Sequence, residues 1–260
     1  MAYIKRNSTY QPGQTAPYTI SRSKIELFTQ CQRCFWLDAR QGIKRPSSPP
    51  FQINKAIDEL FKKEFDGYRK NQLPHPIMIK NKIDVVPFDH ELMDTWRDTF
   101  KGIRTLYEPQ NLEIFGGVDD IWVDSDDNLI VVDYKATAKA KEVDLDADWQ
   151  QSYKRQLEVY QWLLRQNGFK VSDTGYFVYA NAIFSGDNFN DTLKFTTKLI
   201  SHTGSDKWIE PTLADIKRVL EGPIPKTGDS IMGGECEFCG YAKKRTELTL
   251  DYLKTIKNKH

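Results

Sequence analysis

Apolar residues recur three and four apart through the first hundred positions, and beyond residue 110 their period shortens to two. That change divides the chain into a helical opening and a strand-rich centre. Ser23-Lys24-Ile25-Glu26 has capping-box spacing and precedes Leu27, Phe28, Phe35, Trp36 and Leu37, which predicts a helix from about Lys24 to Arg40. Pro46-Ser47-Ser48-Pro49-Pro50 breaks the chain after it. A second helix is expected over about Gln52–Arg69, where Ile53, Ile57, Leu60, Phe61 and Phe65 form one stripe. Asn71–Pro87 reads as a loop, and a third helix follows over about Glu91–Tyr107.

The centre alternates as strands do. Leu112–Phe115, Val118–Asp124 and Leu129–Lys135 are expected strands. Ser125-Asp126-Asp127-Asn128 has strong turn chemistry, so the second and third form a hairpin. A helix is predicted over about Trp149–Gln166, stopped by Asn167-Gly168. Strands over Gly175–Ala180 and Leu193–Ile200 come next, then a last helix over about Pro211–Leu220. The central order is helix, three strands, helix, strand.

At 260 residues the chain suits one large domain with appendages. No apolar run reaches eighteen residues, so no membrane span is expected. Met1–Pro17 is polar, without the apolar core of a secretory signal. A cytoplasmic location is the expectation. The formal net charge is only +1, so a nucleic-acid partner has to be held by a local basic patch. Lys139, Lys141, Lys154, Arg155 and Arg165 are candidates for one, or a solvated helix face. Trp149 and Tyr153 could stack on unpaired bases or pack in the core. No glycine-rich phosphate loop is present, which argues against ATPase or helicase activity.

The candidate chemistry lies in Gly116-Gly117-Val118-Asp119 and Asp133-Tyr134-Lys135. Alternate strand residues share a face, so Asp133 and Lys135 point the same way. The hairpin brings Asp119 beside them. Two carboxylates so placed repel unless a divalent cation neutralises them. All-oxygen ligands suit Mg2+ or Mn2+. A lysine next to that ion can hold a water or stabilise developing negative charge. This is equipment for phosphodiester hydrolysis. The plainer reading is a pair of solvated strand ends, but Asp133 follows the run Leu-Ile-Val-Val, where a charge needs a reason.

Gly-x-x-Asp, then Val-Val-Asp-Tyr-Lys, then Gln156-Leu157-Glu158-Val159-Tyr160 resembles the motif series of the PD-(D/E)XK nuclease superfamily. More narrowly it resembles the RecB-type branch, which includes CRISPR-associated exonucleases. The resemblance spans about Ser21–Tyr241. It implies a restriction-endonuclease-like α/β fold with an α-β-β-β-α-β core. It implies metal binding by Asp119 and Asp133 and by the backbone carbonyl of Tyr134, with Lys135 catalytic. Gln156 and Tyr160, four apart on one helix face, would border the site and contact DNA or orient the lysine. The branch usually supplies a histidine from the helix before the sheet. Here Asp58 takes that place and could ligate a hard cation, or could be a surface acid paired with Lys55 or Lys62.

Cys31-x-x-Cys34 and Cys236-x-x-Cys239 could complete one four-thiolate site that clasps the two ends of the domain together. It could hold Zn2+ or a [4Fe-4S] cluster. Iron–sulfur nucleases of the branch place one cysteine early and three late. This chain departs from that pattern, since the last position falls near Arg245. The histidines His75, His90 and His202 have no ligand spacing.

The expectation is therefore a flexible lead-in over 1–20, a single nuclease domain over 21–245 and a tail over 246–260. Its activity would be metal-dependent hydrolysis of DNA, most naturally at single-stranded or duplex ends. A protein partner in recombination or CRISPR-type adaptation is compatible with every residue named. The rivals are a non-catalytic scaffold that keeps the fold, which a broken Asp-x-Lys would mark, and a sequence-specific endonuclease. For the latter, the spare segments Asn71–Pro87 and Asn181–Asn190 are small.

Overall fold

The computed structural model describes residues 9–47, 51–140, 143–145, 147, 150–184, 188, 190–228 and 235–257. Its strands are β1 (Tyr18–Ser21), β2 (Val85–Pro87), β3 (Ile103–Tyr107), β4 (Leu112–Gly116), β5 (Asp120–Asp124), β6 (Leu129–Thr137), β7 (Thr174–Ile183) and β8 (Lys194–Thr203). Its helices are α1 (Arg22–Gln30), α2 (Gln32–Gln41), α3 (Gln52–Asn71), α4 (Pro76–Lys80), α5 (Met93–Arg97), α6 (Gln151–Gln166), α7 (Ile209–Glu221) and α8 (Glu237–Lys257). The main sheet has the order β2-β5-β6-β7-β8, and a smaller one has the order β1-β4-β3.

β6 is central, and its first six residues are buried. It pairs antiparallel with β5, across the expected hairpin, and parallel with β7. A parallel neighbour needs a crossover, and α6 supplies it. Alternation along β6 divides two cores. Ile130, Val132 and Tyr134 pack with Phe65 of α3, Trp122 and Val178. Leu129 and Val131 face Leu157 and the other apolar residues of α6, with Phe177 and Tyr179 beside them. Each fully buried side chain of this size contributes about 1.5–3 kcal/mol, so the two faces hold the register of β6. The expected series of strands, helix and strand runs through β4, β5, β6, α6 and β7. A second sheet departs from that series: β4 pairs with β1 and β3, and Gly116-Gly117 leads the chain from there into β5.

Several sequence expectations are corrected. The helix expected over Lys24–Arg40 is two helices, broken where Cys31 takes an extended conformation (φ −162°, ψ 108°). The cap of the first is Ser21, which accepts from Lys24 N at 3.3 Å, rather than Ser23. The helix expected over Glu91–Tyr107 is only α5, followed by β3. Gly102 (φ +58°) makes that switch, and a Cβ there would collide with the carbonyl oxygen of Gly116. Asn71–Pro87 contains α4, started by Pro76 at its first position, and the edge strand β2. Part of the expected lead-in is built into the domain: Tyr10 is buried and β1 joins the smaller sheet. Much of the expected tail lies in α8. Among the described residues no helix is long and apolar enough to cross a membrane.

Candidate functional site

Asp133 stands at the end of the apolar run of β6, on the face that meets α6. Its side chain is fully buried. Lys135, two residues on, makes a close ion pair with Asp133 Oδ2, and its Nζ lies 4.8 Å from the centre of the Tyr153 ring. Apart from this contact with Lys135, neither oxygen of Asp133 has a hydrogen-bond partner among the described residues. A buried carboxylate left with one ammonium contact is expensive to maintain, and its open lone pairs are what a cation would take up.

Asp119 reaches the same place from the loop before β5. Its Oδ2 accepts from Tyr134 N at 2.9 Å. Its pKa is pushed up to about 7, first by burial and then by the negative charge of Asp133. Lys135 and the Tyr134 N–H pull it down without cancelling the rise. Burial opposes the charge on Lys135, yet Asp133 and Asp119 together raise its pKa. Two carboxylates and an ammonium therefore share one desolvated spot, with more negative charge than Lys135 offsets. The donor set is all oxygen, which fits Mg2+ or Mn2+. Tyr134 offers this spot only its backbone. Its ring stacks on Phe61 at 5.1 Å on the opposite face.

Asp58 of α3 belongs to the same neighbourhood. Its pKa is raised by burial and then by the charge of Asp119. It is also paired with Lys62 at 2.7 Å, so the ion pair weighed in the sequence is present along with the proximity. Burial pulls the pKa of Lys62 down, but the hydrogen bond to Asp58 and then the charge of Asp119 outweigh it and raise the pKa. Lys62, named from the sequence only as a possible surface partner of Asp58, is thus a second cation at the site. The i,i+4 pairing with Asp58 was the available signal.

Tyr160 is buried, and its hydroxyl accepts from Gln156 Nε2 at 3.3 Å. After burial, Arg22 lowers its pKa while Asp119 and Asp133 raise it, so the ring stands beside the carboxylates. The tight approach explains the first glycine of the motif: a Cβ on Gly116 would lie 2.6 Å from Tyr160 Cε1. The basic residues divide. Arg155 makes a two-pronged pair with Glu26 of α1, at 2.9 and 2.8 Å. Arg165 pairs with Asp173 and Asp206. Those two tie the fold together. The Lys139 N–H donates to Asn181 at 2.8 Å. Lys154 lines a cleft with Lys198 and His202. Lys141 and Trp149 lie outside the described residues.

Behind the site is a network that no motif announced. Asp120, fully buried, is met by Arg69 of α3, by Arg97 Nη2 at 3.0 Å and by the Tyr134 hydroxyl at 2.6 Å. Arg97 Nε donates to the Asp119 carbonyl at 3.1 Å, and Asp66 bridges both arginines. The two residues that frame the carboxylate site, Asp119 and Tyr134, are therefore held from behind by one set of charges.

The four cysteines come together, all buried, with every sulfur within 4.8 Å of the others. None forms a disulfide. The two pairs are built alike. Cys31 caps α2, its Sγ accepting from Cys34 N at 3.5 Å. Cys236 immediately precedes α8, and Cys239 sits in the first turn. They are positioned to bind a metal ion or cluster.

No curated protein matches the chain. Among solved structures it is similar to "Crystal structure of SSO0001", with 17% identity over 79% of this chain and 78% of that one, and a TM-score of 0.31. Residues 19–243 match the family profile of the PD-(D/E)XK nuclease superfamily. That stretch contains β1 through the start of α8, and with them the carboxylate pair, its lysine and all four cysteines; the chain belongs to the PD-(D/E)XK nuclease superfamily.

Proposed function

We propose that this protein is a Mg2+- or Mn2+-dependent deoxyribonuclease of the RecB-type branch, acting on the ends of single-stranded or duplex DNA. The observation that carries the reading is the fully buried Asp133 with Asp119 beside it and Lys135 against it. Asp119, Asp133 and the Tyr134 carbonyl would hold the cation, and Asp58 would add a fourth oxygen ligand. The cation would supply Lewis acidity and a bound water of lowered pKa. Lys135 stabilises negative charge that develops on the phosphate. Gln156 and Tyr160 would border the scissile group, and Lys62, paired with Asp58, offsets part of the negative charge. Substrate in cellular DNA processing, with a partner in recombination or CRISPR-type adaptation, fits this chemistry.

The test uses labelled DNA in four forms: linear and covalently closed, each single- and double-stranded, with Mn2+ or Mg2+. Linear forms are degraded and circles are spared. Circles cut as fast as linear DNA would replace the exonuclease reading with an endonuclease. A metal-replete protein that cuts none of the four would favour a scaffold.

A further inference from the structure

We infer that the four cysteines hold one zinc ion and not an iron–sulfur cluster. Cys31–Cys239 and Cys34–Cys236 sulfurs are 3.8 Å apart, and Cys34–Cys239 are 3.6 Å apart. A Zn–S bond of about 2.3 Å in a tetrahedron places its ligands about 3.8 Å from one another. The observed spacing is therefore that of four thiolates around one centre. A cubane has a different requirement. Each thiolate caps its own iron at a separate corner and points outward, so the sulfurs are held apart by the whole cluster body. Sulfurs that all lie within 4.8 Å of one another leave no space for it. A two-iron cluster fails on the pairs that sit on different irons.

The surroundings suit a closed site of charge −2. Arg45 Nη2 donates to Cys236 Sγ at 3.5 Å, and its guanidinium lies 4.5 Å from the Phe238 ring centre. The N-termini of α2 and α8 both start at the sulfurs, where their N–H groups and dipoles favour negative charge. Cys236 N donates to the Gly228 carbonyl at 2.7 Å, which closes the loop side. The ion's work is mechanical. Cys239 is the one buried residue of α8 among the described residues, so α8 is joined to the domain largely through the metal.

The test is metal and sulfide analysis of the full chain, produced with iron and zinc both supplied and purified without oxygen. The expected result is stoichiometric zinc, no acid-labile sulfide and no visible absorption. Exchange with Co2+ then produces the intense bands of a tetrahedral thiolate site. Cys34→Ser loses most of the zinc, while Lys135→Ala keeps it whether or not the protein cuts DNA. Stoichiometric iron, with or without sulfide, would overturn the assignment. So would a Co2+ spectrum without thiolate bands.

Discussion

Asp133→Asn yields a folded protein that no longer responds to manganese. The amide matches the carboxylate in size, and the side chain it replaces is enclosed by β6, β7 and α6, so the packing survives. The charge does not. In the wild type, Mn2+ at a hundred times its dissociation constant raises the unfolding free energy by about 2.7 kcal/mol, because only the folded state binds it. In the variant that increment disappears. DNA cleavage falls by roughly 10²- to 10³-fold or more, the scale at which losing one group that stabilises transition-state charge is felt. Urea unfolding with and without Mn2+ reads the first effect and a cleavage time course reads the second. A variant stabilised by Mn2+ as much as the wild type would remove Asp133 from the metal site.

Asp120→Ala unfolds the protein far more readily, although Asp120 touches no substrate in this account. Its removal leaves Arg69, Arg97 and the Tyr134 hydroxyl without their buried partner. Breaking one side of a buried ion pair costs about 3–5 kcal/mol. Asp66, which meets the same arginines but is half-exposed, gives the contrast. Asp66→Ala costs no more than about 1 kcal/mol, as expected for a solvent-screened pair. Urea midpoints of the two variants measure the difference. Equal losses would show that the arginines depend on Asp66 as much as on Asp120, against the burial of the pairs.

What could be read from the sequence follows from which interactions are local. α3, α6 and the β5–β6 hairpin have strong periods or a strong turn, and the family's order of elements follows from them. The convergence of Asp119, Asp133 and Lys135 needed only strand alternation and that hairpin. The four cysteines needed only their two equal spacings. The missed features were set at a distance or by one residue. β3 looks helical until Gly102 redirects the chain toward β4. The break at Cys31 comes from a thiol acting as a helix cap, which no apolar pattern records. The burial of Asp120 rests on Arg69 from α3, Arg97 from α5 and the Tyr134 hydroxyl, partners that lie far from it in sequence. Arg155 reads as a phosphate contact or a solvated helix residue, because its partner, Glu26, is 129 residues away in sequence.

The most direct test of the central claim is cleavage of end-labelled linear DNA in Mn2+ by the wild type and by Lys135→Ala, side by side, with a chelator control. The expected result is wild-type cleavage that stops on chelation, and a folded Lys135→Ala that retains its zinc and leaves the DNA intact. Lys135→Ala cutting as fast as the wild type would contradict it, because the activity would then belong to some site other than Asp119, Asp133 and Lys135.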